Sequence, residues 1–381
     1  MWVYLLLAVV PLATADWYEK VMMDPDIRRN VSQLISSKGY PVEEHEVQTK
    51  DGFILALQRI PYGRKAPGDY RGNKTPVFLQ HGLLSAASDF VINFPDQSLG
   101  FLLADSGYDV WLGNTRGNTY SRKHTKLRPN TDAFWDFSFD EMGAYDLPAM
   151  IDHVLNVTNQ DQLAYIGHSQ GTTAAFALLS ENPEYNKKVK VFIALAPVAS
   201  GIHITNVVSY LAPFSRDLAF LAKLFGIRDF LPNNKIMKWL SEYLCAEFEK
   251  FICENAMFLF FGRDYQELNV TRIGVYGAHT PAGSSVKSVA HFGQMIESDF
   301  AKFDYGKREN IARYGQAIPP KYNLSSITTP VALISGLNDN LADPADVAIV
   351  ANQLKSLVGA TPAEVCLMRK PTQRSLEDCS K

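Results

Sequence analysis

The chain has 381 residues, 46% hydrophobic and 20% charged, with a formal net charge of −3 and a pI of about 6.3. That composition supports a packed core and excludes a disordered chain. The near-neutral balance offers no electrostatic footprint for nucleic acid, and a mean hydropathy of −0.10 excludes a multispan membrane protein.

The first fifteen residues carry no charge, and Val3 to Val10 is a continuous apolar run. Ala13-Thr14-Ala15 is a small-x-small cleavage site. The run is too short to span a bilayer, so residues 1–15 are expected to be a secretory signal peptide with no transmembrane segment. Sequons agree with export: Asn30, Asn156, Asn269 and Asn323 are candidate glycosylation sites, whereas Pro76 after Thr75 makes Asn73 a poorer one. Four cysteines allow three disulfide connectivities. Cys245 and Cys253 are eight apart. On an unbroken helix that is about 12 Å of rise, so a bond between them requires a turn.

Val42 to Gln48 and Phe53 to Ile60 flank Asp51-Gly52 and predict a β-hairpin. Pro76 to Gln80 and Tyr108 to Leu112 read as short buried strands, with helical patterns over Gln97 to Asp105 and Met142 to Leu155. Leu163 to Gly167 is a strand followed at once by a helix through Leu179. Val189 to Leu195, Pro330 to Ser335 and Glu364 to Met368 read as further strands, with a helix around Ala345 to Leu357. Apolar strands alternating with helices predict an α/β fold with a mostly parallel sheet covered on both faces.

Between Gly201 and Asn310 the alternation stops. Aromatic residues number 18 of 110 there, 16% against 12% for the whole chain. Most of them suffice for an ordinary core, and an apolar cap over a site uses the rest. The expected organisation is a core of residues 16–200 and 311–381, with residues 201–310 as a helical cap inserted over one end of the sheet.

Gly167-His168-Ser169-Gln170-Gly171 is the motif that carries chemistry. It has the G-x-S-x-G pattern and sits between a strand and a helix, where a nucleophile elbow belongs. A serine hydroxyl is a weak nucleophile and needs a base, an orienting acid and an oxyanion hole. The Gln170 N–H, one residue beyond the nucleophile, is one expected donor, and the second comes from the loop after an early strand. Here that loop is Gln80-His81-Gly82-Leu83-Leu84, in which His81 reads as a loop-shaping residue. Asp339, in the loop after Pro330 to Ser335, is the expected acid, and Asp343 before Pro344 reads as a helix N-cap.

These stretches, with Leu112-Gly-Asn-Thr-Arg-Gly-Asn118, Phe134-Trp-Asp-Phe-Ser-Phe-Asp-Glu-Met142, Pro281-Ala-Gly-Ser-Ser285 and Leu341-Ala-Asp-Pro344, resemble the acid lipases, the gastric and lysosomal acid lipase family. The resemblance spans about residues 24 to 347. It implies an α/β-hydrolase fold with a helical cap, and a secreted or lysosomal enzyme that hydrolyses neutral-lipid esters, triglycerides or steryl esters, at a lipid–water interface. It assigns Ser169 as nucleophile, Asp339 as acid and the Leu83 and Gln170 amides as oxyanion hole. It also implies a Cys245–Cys253 disulfide. No cofactor and no metal is called for.

One feature departs from that pattern. Triad order in this fold is Ser, Asp, His, yet none of the eight histidines lies beyond Asp339. The residues Arg369 to Lys381 are polar and unlike the family's closing segment. Without the base, turnover is expected to fall by on the order of 10⁶. The alternative reading is therefore a catalytically impaired, lipid-binding member.

Overall fold

The computed structural model describes residues 24–64, 74–204, 226–232, 269–354 and 364–368. The predicted leader, Asn73, Cys245, Cys253 and Cys379 lie outside them. The strands are β1 (Glu43–Gln48), β2 (Phe53–Ile60), β3 (Pro76–Gln80), β4 (Asp109–Gly113), β5 (Lys123–His124), β6 (Leu163–His168), β7 (Val189–Leu195), β8 (Asp229–Phe230), β9 (Ser284–Ser285), β10 (Val331–Gly336) and β11 (Glu364–Met368). Each long strand falls within a residue or two of its sequence expectation.

The main sheet runs β1-β2-β4-β3-β6-β7-β10-β11, with β5 on β2. The hairpin β1–β2 and the β2–β4 pair are antiparallel; every pair from β4 to β11 is parallel. Alternate residues explain the two faces. Val77, Leu79, Val110 and Leu112 point to one side and pack on α1 (Val31–Ser37) and α2 (Leu99–Asp105). Phe78, Trp111, Tyr165 and Phe192 point to the other and meet α3 (Leu147–Thr158), α4 (Gln170–Glu181), α5 (Pro183–Lys188) and the later helix α9 (Pro344–Leu354). Burial on both faces is what the near-continuous apolar strands require. Between β7 and β10 lie α6 (Ile273–His279), α7 (Val286–Glu297) and α8 (Lys307–Tyr314), and the two-residue strands β8 and β9 pair antiparallel.

The helix expected from Met142 begins differently. Met142–Asp146 is a π-helical turn, with the Leu147 N–H on the Met142 carbonyl, and regular α3 starts only at Leu147. The wider turn places Asp146 inward, where it meets Arg116: Nε donates to Oδ1 at 2.8 Å and the backbone N–H to Oδ2 at 3.0 Å.

The turn Pro25–Ile27 is clasped to α6 by charge. Asp26 is fully buried and accepts from Arg29 and Lys38 at 2.6 Å and from Arg272 at 2.8 Å, while Arg272 also reaches Asp24 at 2.7 Å. Burial alone would raise the Asp26 carboxyl, but the three cations outweigh it and hold it at about 2. The group titrates lower folded than its ordinary 3.8, so the clasp stabilises fully above that pH and is lost as pH falls toward about 2. Asp26→Asn is expected to lower the melting temperature at pH 5, with the gap to wild type closing between pH 4 and pH 2 in a thermal-melt series.

Candidate active site

Ser169 is the single residue between β6 and α4, at φ 50° and ψ −119°. A side-chain-bearing residue pays for this left-handed geometry with strain, and such strain concentrates at functional sites. The neighbouring glycines explain how the turn closes. A Cβ on Gly171 would stand 2.4 Å from the Gln80 carbonyl oxygen, and one on Gly167 would stand 2.8 Å from the Gly171 carbonyl carbon. The Ser169 N–H donates to the Leu195 carbonyl at 3.0 Å, and Thr172 Oγ1 donates to the Ser169 carbonyl at 2.6 Å. The elbow is thus fixed from β7 and from α4.

The loop after β3 lies directly against it. A Cβ on Gly82 would meet Ser169 Cβ at 3.1 Å and His168 Nδ1 at 3.2 Å. Gly82 therefore serves close approach, whereas the turn itself falls on Leu84, at φ 60°. The Leu83 and Gln170 N–H groups have no hydrogen-bond partner among the described residues. Unbonded amides in these two positions are compatible with the oxyanion donors expected from the sequence.

His81 shapes this loop, as the sequence suggested. It is 2% exposed. Its Nδ1–H donates to the Gly82 carbonyl at 2.8 Å, and Nε2 accepts from the Thr115 N–H at 3.2 Å and from Asn118 Nδ2 at 3.1 Å. Burial pushes its imidazole down to about 4, so it stays neutral and keeps both roles through mildly acidic pH. Asn118 also bonds Asn114 Oδ1 at 3.0 Å, which in turn accepts from the Ala87 N–H at 3.0 Å. The segment returning at Ala282 adds a last tie: its N–H donates to the Leu84 carbonyl and its own carbonyl accepts from Thr119. Sequence reasoning missed Asn118 as a loop holder, although Asn114 and Asn118 stand four apart in a quoted motif.

Asp339 lies in the loop after β10, two strands from β6. Its Oδ1 accepts from the Leu341 and Ala342 N–H groups at 2.8 and 2.9 Å, which leaves Oδ2 without a bond from that turn. Asp343 caps α9 through the Ala345 N–H at 2.8 Å, as expected of an N-cap.

All eight histidines fall among the described residues, and no hydrogen bond joins any of them to the Ser169 hydroxyl. His291 is buried in α7, stacked on Phe139, with Nδ1 at Ser138 Oγ and Nε2 at the Ala301 carbonyl, both 3.0 Å away. Burial holds it down to about 3. His279 Nε2 is at the Asp26 carbonyl, 2.8 Å away. His45, His124 and His153 lie on β1, β5 and α3. His203 is oriented by Asp346, with Nδ1 3.0 Å from Oδ1. His168 adjoins Ser169 and makes no ring hydrogen bond among the described residues.

The fold agrees with comparisons to known proteins. Residues 75–365 match the family model described as alpha/beta hydrolase fold, and residues 31–94 match the partial alpha/beta-hydrolase lipase region. The chain belongs to the α/β-hydrolase lipases. Within them it is 46% identical over 339 residues to the human lysosomal acid lipase/cholesteryl ester hydrolase, covering 88% of this chain and 84% of that protein. It is 47% identical to lipase lipl-1 of Caenorhabditis elegans, covering 91% and 86%. It is 45% identical to rat gastric triacylglycerol lipase, covering 88% and 85%. Among solved structures, a soluble variant of Saccharomyces cerevisiae monoglyceride lipase shares the fold at TM-score 0.50 and 15% identity, covering 86% of this lipase-family chain and 87% of the other. This chain is thus an ester hydrolase by family.

Proposed function

We propose that the protein hydrolyses neutral-lipid esters, triglycerides or steryl esters, through an acyl-enzyme on Ser169. The carrying observation is the strained Ser169 beside two free amides. In this reading the Leu83 and Gln170 N–H groups bind the oxyanion and Asp339 is the acid, its Oδ2 left to face an imidazole. Residues 201–310 form the cap, with a Cys245–Cys253 disulfide in it, and supply an apolar acyl pocket. The names of the lysosomal and gastric relatives, together with the uncharged leader, support a secreted or lysosomal protein that works at a lipid–water interface. Asn30, Asn156 and Asn323 are exposed and Asn269 half-exposed, as glycan acceptors must be.

A second reading rests on one observation: no imidazole touches the Ser169 hydroxyl. In that reading a chain of these 381 residues binds lipid and turns it over very slowly. Exposure to a fluorophosphonate followed by peptide mass spectrometry tests the nucleophile and separates the two readings. The adduct is expected on the Ser169 peptide and absent from Ser169→Ala; an adduct elsewhere contradicts the assignment, and none at high reagent contradicts the acyl-enzyme and favours the second reading, in which the hydroxyl has no base.

A further inference from the structure

The chain that leaves β7 is tied to three neighbours in turn. The Ala196 N–H donates to the Ile334 carbonyl of β10 at 2.8 Å. Val198 is held by α4: its N–H donates to Thr172 Oγ1 at 3.0 Å, and its carbonyl accepts from Thr173 Oγ1 at 2.7 Å. The last tie is to Asp346, which lies in the first turn of α9 and is 1% exposed. Its Oδ1 accepts from Ser200 Oγ at 2.8 Å and lies 3.0 Å from His203 Nδ1, and its Oδ2 accepts from the His203 N–H at 3.0 Å. One buried carboxylate thus gathers three groups of the departing chain.

These ties differ in what pH can do to them. Amides and hydroxyls keep their charge state between pH 5 and pH 8, and an imidazole does not. The His203 side chain is half-exposed, so protons reach it freely, while its partner is buried. The hydrogen bond to Asp346, with the charges of Asp346 and Asp343, outweighs desolvation and holds the imidazole above its ordinary value. Both carboxylates come from the start of α9; α7 meets the segment with apolar Ile296, against Gly201. A group that titrates higher in the folded chain adds stability below its ordinary value, and the contribution is lost as pH rises through the raised one. A neutral ring can also take the tautomer with no hydrogen on Nδ1, which sets its lone pair against the carboxylate.

We propose that His203 and Asp346 form a pH-sensitive clasp that fastens the chain leaving β7 to the start of α9 and is tightest in acidic surroundings. The Leu195 carbonyl at the end of β7 accepts from the Ser169 N–H, and the Asp339 turn, closed by the Leu341 and Ala342 amides, leads directly into α9. The clasp therefore joins the strand that supports Ser169 to the helix that follows Asp339, and it does so whatever Ser169 reacts with. Acidification tightens that join.

Hydrogen exchange of the full chain tests this, read at the His203 and Val198 amides at pH 5 and pH 8 and corrected for intrinsic rates. The His203 amide is expected to open about two- to fivefold more often at pH 8 than at pH 5, and the Val198 amide equally at both. In His203→Gln, which keeps a donor but no titrating charge, the difference between the two pH values should vanish. In Asp346→Asn the amide should open readily at both, and by NMR the His203 ring should titrate at its ordinary value. A wild-type His203 amide that opens equally at both pH values overturns the proposal, as does a difference that persists in His203→Gln. A difference shared by Val198 marks general loosening and overturns it as well. Should Asp346→Asn not fold, the comparison with His203→Gln, a change at a half-exposed side chain, decides alone.

Discussion

Gly171→Ala is expected to destabilise the protein by on the order of 3 kcal/mol and to slow phosphonate labelling of Ser169 by about 10²-fold. The new Cβ would lie 2.4 Å from the Gln80 carbonyl oxygen and 2.9 Å from that of His81. Both obstacles are backbone, so no rotamer relieves them. The chain must move either α4, with the Gln170 amide, or the loop that carries the Leu83 amide. Either movement opens the proposed oxyanion hole, and a misplacement of about 1 Å is enough for that loss. Gly336→Ala is the control, because its Cβ meets nothing closer than Asp339 Cβ at 3.9 Å. Denaturant unfolding and labelling rates check both; equal behaviour of the two variants would contradict the account of the elbow.

Asp146→Ala is expected to cost about 3–5 kcal/mol. Arg116 and Asp146 side chains are 1% and 0% exposed, and Arg116 also reaches Asp51 at 2.7 Å and lies 4.1 Å from the Phe53 ring centroid. Burial would lower the guanidinium's affinity for its proton, but the two carboxylates raise it, so Arg116 stays charged. Removing Asp146 leaves that charge with Asp51 alone in an apolar setting. Replacing both partners together, Arg116→Met with Asp146→Leu, is expected to cost less than the single change, since no buried charge is orphaned. Equilibrium unfolding of the three variants decides it.

The strands were readable because sheet cores covered on two sides demand apolar runs, and Pro76–Gln80, Val189–Leu195 and Glu364–Met368 show no other pattern. The elbow was readable because two glycines at fixed spacing around a serine have one steric use at a strand–helix junction. The π-helical turn at Met142–Asp146 was not, since a single widened turn scarcely changes the apolar spacing of a helix. The positive φ at Leu84 gave no sequence signal either; Gly82, the residue suited to such a turn, is spent on close approach to Ser169. His81 and His291 differ from His168 only in what surrounds them, so their closed hydrogen bonds had to be seen in space.

In the proposed reading the Leu83 and Gln170 amides serve Ser169, and among the described residues no histidine hydrogen-bonds its hydroxyl. The most direct measurement is hydrolysis of a soluble short-chain ester by this polypeptide and by a version carrying, after Met368, the closing segment of the human lysosomal acid lipase, each with and without Ser169→Ala. The proposed acyl-enzyme predicts that Ser169→Ala abolishes turnover in whichever version shows it; the second reading adds a gain on the order of 10⁶ in kcat from the graft, or about 8 kcal/mol of transition-state stabilisation. Turnover that survives Ser169→Ala would contradict the nucleophile, and ordinary turnover by the ungrafted polypeptide would contradict the second reading and place the base among the eight histidines already present.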